Sequence, residues 1–90
     1  MTPETALKQQ IKHYLQLKRV MFWSNLQGLG AHKGLPDIFA LRAGIIYAIE
    51  VKTKKGNLSE YQQEFLKEIE LNGGISIVAR KLEDVIEKIY

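Results

Sequence analysis

Two apolar runs, DIFAL (residues 37–41) and IIYAIEVK (residues 45–52), are separated only by Arg42, Ala43 and Gly44. So short a connection between two strands forces an antiparallel hairpin. The hairpin restricts the fold of this chain more tightly than any other feature. It also carries Asp37, Glu50 and Lys52, and burying unpaired charge among Ile, Leu, Phe and Ala is costly. These groups therefore either sit at exposed strand ends or form a site that needs charge. Side chains alternate along a strand, so Glu50 and Lys52 share a face. If Ala43 and Gly44 alone make the loop, Arg42 pairs with Ile45 and Asp37 falls opposite Glu50, with roughly 5 Å between Cβ atoms. A three-residue loop would place Glu50 on the other face unless a β-bulge corrected it. The two-residue loop, with the carboxylates meeting, is the register expected.

The flanking elements follow from periodicity. A helix is expected over about residues 3–18, capped by Thr2, with Pro3 in the first helical position where a missing N–H costs nothing. Leu7, Ile11, Tyr14 and Leu15 form its apolar face. Glu4 lies seven residues before Ile11 and projects only about 20° away from it. VMFWS (residues 20–24) reads as a strand on which Phe22 and Trp23 alternate faces, so one of the two is expected in the core. NLQGLGAHKGLP, with three glycines, is a loop, and KKGNL is another. A second helix runs from Ser59 to about Leu71, with Tyr61, Phe65, Leu66 and Ile69 as packing residues, and Asn72-Gly73-Gly74 stops it. ISIVA (residues 75–79) is a fourth strand. A last helix over about residues 82–89 has Leu82, Val85, Ile86 and Ile89 at helical spacing. The order αβββαβα predicts an α/β fold, a mixed four-stranded sheet flanked by helices, with the last two strands parallel.

The chain of 90 residues is long enough for one modest core, so a single domain over residues 1–90 is expected. The absence of cysteine excludes disulfides and thiolate zinc sites. The first twenty residues lack the basic start and apolar run of a secretion signal, and no stretch has the length of a membrane span. A cytoplasmic or nucleoid-associated protein, not secreted and without a membrane partner, is expected. The net charge of +3 hints at a polyanionic partner. Its placement says more: Lys52, Lys54 and Lys55 follow the hairpin and His32 and Lys33 precede it, so a basic patch is expected to flank Asp37 and Glu50.

Two ionised carboxylates that close repel, and one pKa rises unless a cation lies between them. Hard divalent cations take one or two carboxylates together with waters and phosphate oxygens. Lys52, one strand step along the same face, could steady charge building on an attacked phosphate. In outline this is a site for phosphodiester hydrolysis. Pro-Asp followed at this distance by acid-x-Lys arises by chance in roughly one chain in a hundred of this length, so its placement on the hairpin is what gives the pattern weight.

At these residues the chain resembles the PD-(D/E)xK nuclease superfamily: Pro36-Asp37 and Glu50-Val51-Lys52 match its motif, and αβββαβ matches its core. KGLPDIFAL, AIEVKTKKGNLSEYQ and the following NGG resemble the VRR-NUC family, from Glu4 to the last strand. The resemblance implies a restriction-endonuclease-like core and a Mg2+- or Mn2+-dependent nuclease acting on branched or structured DNA. Small stand-alone members are similar to Holliday junction resolvases and work as homodimers. Carried over by position, Asp37 and Glu50 become metal ligands with the Val51 carbonyl as a third, and Lys52 the catalytic lysine. Glu4 matches the acidic residue of the first family helix that faces the metal, often through water; it equally suits a helix N-terminus. Gln62 matches the glutamine beside the catalytic lysine, yet Ser59-x-x-Gln62 also reads as a capping box. The family pattern does not require His32, which is expected, with Lys33, Lys54 and Lys55, as a phosphate contact. A non-catalytic DNA-binding module, or a subunit of a larger DNA-processing assembly, is the alternative.

Overall fold

The structure, a computed structural model, describes residues 1–26, 32–53 and 55–90. Its elements run α1 (Pro3–Leu17), β1 (Met21–Ser24), β2 (Ile38–Arg42), β3 (Ile45–Val51), α2 (Glu60–Leu71), β4 (Ile75–Ala79) and α3 (Leu82–Ile86). The central hairpin takes the two-residue register, with Arg42 opposite Ile45 and Ile38 opposite Ile49. Ala43 and Gly44 have φ of 52° and 80°, as a type I′ turn requires, and that turn's twist matches the twist of its strands. One further step along the register sets Asp37 opposite Glu50. β1 pairs antiparallel with β2, and β4 lies parallel to β3, giving the order β1-β2-β3-β4.

Alternation then divides the two faces. Ile38, Ala40, Tyr47, Ile49, Val51, Ile77 and Ala79 pack with Ile11 and Leu15 of α1 and with Val85 and Ile89, forming a core on the α1/α3 side. Each fully buried aliphatic side chain there stabilises the fold by about 1.5–3 kcal/mol. On the other face the methyls of Ile46 and Ile69 of α2 converge at Gly74. Phe22 packs against the α1/α3 core. Trp23 stays 39% exposed, its ring 5.6 Å from that of Phe39.

Three expectations need correction. α1 gives way to β1 through Arg19, whose φ of 57° turns Val20 inward, so the strand starts at Met21 rather than at residue 20. α3 ends at Ile86 instead of near residue 89. Ile89 is nevertheless fully buried: its N–H donates to the Val85 carbonyl at 2.8 Å, and its own carbonyl accepts the Tyr14 hydroxyl at 2.6 Å. Tyr61, expected to pack, is 57% exposed. Its backbone makes the tight packing contact. A Cβ on Gly34, at φ +80°, would lie 2.1 Å from the Tyr61 carbonyl oxygen. Only glycine permits that approach, which docks the loop before Asp37 against the first turn of α2. Among the described residues no helix is long and apolar enough to cross a membrane.

Candidate active site

Asp37 is held by its backbone before its side chain does anything. Its carbonyl accepts the Asn25 N–H at 2.9 Å, and the Asn25 amide donates to the Pro36 carbonyl at 2.8 Å. So fixed, Asp37 Oδ2 accepts the N–H of Val51 at 2.8 Å, standing in for a strand partner where β2 has not yet begun. Oδ1 lies 3.0 Å from the ammonium of Lys8 on α1. Glu50, opposite, is only 3% exposed, and its Oε2 has no hydrogen-bond partner among the described residues.

The two carboxyls divide their titration. Burial, and then the neighbouring Asp37, push Glu50 up to about 8, against a weaker pull from Lys52 and Lys8. Burial works against the Asp37 carboxylate too. Hydrogen bonds from the Glu50 carboxyl, the Val51 N–H and Lys8 outweigh it and hold Asp37 below the ordinary carboxylate range. Glu50 is therefore the carboxyl that favours its protonated form and Asp37 the one that favours ionisation, the behaviour of two carboxyls too close to ionise together.

This donor set fits a hard divalent ion. It offers two adjacent carboxylates, one of them with a buried oxygen that has no partner among the described residues, and the carbonyl of Val51, whose N–H Asp37 already accepts. Magnesium sites often use one or two carboxylates and complete the shell with water and phosphate. Among the described residues no cluster of three or more Asp, Glu, His or Cys side chains gathers, so Glu4 stands off from the pair. It instead lines a groove of about 750 Å³ with Lys52, Lys55, Arg80, Lys81 and Glu83, while Pro3, Ala6, Leu7 and Leu82 supply apolar surface. Glu4 also sits in the first turn of α1, where the helix dipole favours it.

Lys52 connects the carboxylates to this groove. Its N–H donates to the Ala79 carbonyl at 3.0 Å, extending the β3–β4 pairing by one residue. Because those strands are parallel, the residues after each come out at the same end of the sheet, and Arg80 and Lys81 join Lys52 there. Arg80 Nη1 donates to the carbonyls of Thr53 (2.6 Å) and Gly56 (2.8 Å), pinning the loop that follows Lys52. Asp84 Oδ2 accepts the N–H groups of Arg80 (2.8 Å) and Lys81 (3.2 Å) and so fixes the turn.

The single basic patch expected around the carboxylates divides in two. His32 and Lys33 line a separate pocket over α2 with Tyr61, Glu64, Phe65 and Glu68. The His32 ring meets Phe65 edge-on at 5.2 Å, and the Lys33 ammonium lies 4.8 Å from the centre of the Tyr61 ring. Lys55 stays with Lys52, and Lys54 lies outside the described residues. Gln62 completes the capping box: its Oε1 accepts the Ser59 N–H at 2.9 Å, and its N–H donates to Ser59 Oγ at 3.1 Å. Sequence reasoning missed Lys8, Arg80 and Lys81. Lys8 stands four residues after Glu4 on the same helix, and the parallel pairing already implied that residues 80 and 81 emerge beside residue 52.

Comparison with known proteins agrees with this fold. The model of the VRR-NUC domain matches residues 2–81. A solved structure described as a VRR_NUC domain superposes with a TM-score of 0.81 at 21% identity, covering 99% of this chain and 96% of that one. A second, a VRR_NUC domain protein, gives 0.75 at 18% identity, with 98% and 85% covered. A curated protein, histone-arginine methyltransferase CARMER of Culex quinquefasciatus, is 34% identical over 59 residues. That match covers 63% of this chain but only 9% of the relative's length. The fold is therefore a nuclease-like domain of the PD-(D/E)xK type, and the chain belongs to the VRR-NUC family.

Proposed function

We propose that the protein is a divalent-metal-dependent endonuclease that hydrolyses phosphodiester bonds in branched DNA and resolves four-way junctions as a homodimer. The observation that carries this reading is buried Glu50, with an oxygen lacking a partner among the described residues, set against Asp37 one strand step from Lys52. Asp37, Glu50 and the Val51 carbonyl would hold Mg2+ or Mn2+, and Glu4, which stands off from the pair, would act on the ion only through water. An ion bound there supplies Lewis acidity, acidifying water and screening the phosphate charge. Lys52 steadies the charge that builds on the phosphate as the bond to the leaving oxygen breaks. Lys55, Arg80 and Lys81 hold flanking phosphates in the groove, and Lys33 and His32 those further away. A four-way junction needs two cuts related by a two-fold axis, which a symmetric dimer presents. Such an enzyme works in the cytoplasm or on the nucleoid.

The test is cleavage of end-labelled four-way junction, flap and linear duplex DNA with Mg2+, Mn2+ or EDTA, wild type beside Asp37→Ala. Paired nicks at the junction that need metal and vanish in the variant, while binding persists, are expected. Tight binding with no cleavage in either metal would leave a non-catalytic DNA-binding module instead.

Gln62 can be separated from its cap in the same assay. Gln62→Glu keeps the capping box and is expected to hold both stability and cleavage within about threefold, whereas Gln62→Ala loses about 1 kcal/mol of stability by urea unfolding. A tenfold loss of cleavage in Gln62→Glu at unchanged stability would give the side chain a direct part in the reaction.

A further inference from the structure

We infer that Lys8 and a divalent ion exclude one another at Asp37, so that Lys8 is the resident counter-ion of the carboxylate pair and metal binding must displace it. The inference rests on the metal-dependent reading above.

The two oxygens of Asp37 are committed differently. Oδ2 accepts the Val51 N–H at 2.8 Å, and that amide belongs to a central strand and has no freedom to leave. Oδ1 is the oxygen open to a cation, and the Lys8 ammonium lies on it at 3.0 Å. A dication sharing Oδ1 with the ammonium would lie within a few ångströms of it, with three positive charges facing one carboxylate oxygen. Beside Asp37, whose side chain is only 11% exposed, such repulsion is screened less than in bulk water. One of the two cations has to go.

Lys8 is the one free to move. Its side chain is one-third exposed and stands on the surface of α1, and the ion pair with Asp37 is its contact at the site. A flexible four-carbon stem lets the ammonium swing into water without disturbing Ile11 or Leu15 beneath the helix. A bidentate arginine there would be harder to dislodge. Lysine thus offsets carboxylate repulsion while leaving the site open to exchange. Lys8 also faces Glu50 closely enough to favour its ionised form, so the ammonium serves both carboxyls.

The test is calorimetric titration of Mn2+ into the intact wild type, Lys8→Met and Lys8→Arg, without DNA. If the ion pair is populated nine-tenths of the time, its removal tightens apparent affinity about tenfold. Lys8→Met is therefore expected to bind Mn2+ about tenfold more tightly and to unfold at lower urea in EDTA, with Mn2+ restoring the loss. Lys8→Arg is expected to bind several-fold more weakly than wild type. Equal or weaker binding by Lys8→Met, or unchanged binding by Lys8→Arg, would overturn the competition. Should Lys8→Met fail to fold, the arginine variant alone decides. A wild type that takes up no Mn2+ would overturn the metal-dependent reading itself, a different outcome from either.

Discussion

In EDTA, Glu50→Gln is expected to be more stable than the wild type at pH 8, to match it near pH 4.5, and to have lost cleavage by roughly 10³-fold or more when metal is restored. The folded-state pKa of Glu50 is raised from 4.5 to about 8, chiefly by burial and then by Asp37. Between those values the folded chain keeps a proton that the unfolded chain has released, so stability falls as pH rises through this window. The loss between pH 5 and pH 8 is on the order of 2–4 kcal/mol. Glutamine removes it, because its amide donates to Asp37 as the protonated acid does and never ionises. Asp37 has the opposite sign: its depressed pKa contributes stability that is present above 3.8 and lost as pH falls through the folded value. Its change with pH falls below 3.8 and so lies outside the compared range. Urea midpoints at three pH values, with and without Mn2+, provide the check. Metal should stabilise the wild type by mass action and leave Glu50→Gln nearly unmoved. A variant less stable than wild type at pH 8 would mean that Glu50 is ionised and satisfied in the folded protein, and the case for an open ligand would fail.

The hairpin was legible in the sequence because local rules determine it. Continuous apolar runs gave the strands, the short connection gave their direction, and Ala43-Gly44 gave a register that brings Asp37 to Glu50. What escaped were contacts set by tertiary packing. Lys8 reaches Asp37 across 29 positions only because α1 packs along the sheet. Arg80 and Lys81 come to Lys52 through the parallel β3–β4 pairing, which was expected but not followed beyond the last residue of the strand. Tyr61 fits the apolar face of α2 by spacing, yet a helical wheel does not reveal that the backbone at Gly34 docks there in its place. Gln62 shows a different limit. Its spacing fits two roles equally, and what distinguishes them is the direction of its amide oxygen, toward the Ser59 N–H.

Lys52→Met is the second large effect, and it separates chemistry from binding. The backbone of Lys52 stays in the sheet through its bond to the Ala79 carbonyl, so the substitution is expected to leave the fold intact. Lys52 lines the groove with Lys55, Arg80 and Lys81, so three of the four basic residues remain to hold phosphates. Loss of one phosphate contact lowers the salt slope of DNA binding by about 1 and the affinity only modestly. If Lys52 acts on the charge of the attacked phosphate, the cleavage rate at saturating DNA should fall about 10²–10⁴-fold while DNA affinity changes little. Mn2+ should bind the variant at least as tightly as wild type, because removing a positive charge beside Glu50 favours a cation there. A rate loss confined to subsaturating DNA would reduce Lys52 to one more phosphate contact. Lys52→Arg then probes the geometry: it preserves charge and groove contact, yet the larger planar guanidinium cannot take the place of a compact ammonium. Binding is expected to be retained and most of the rate to stay lost, since transition-state charge is stabilised by a group held at one position and not by net charge alone.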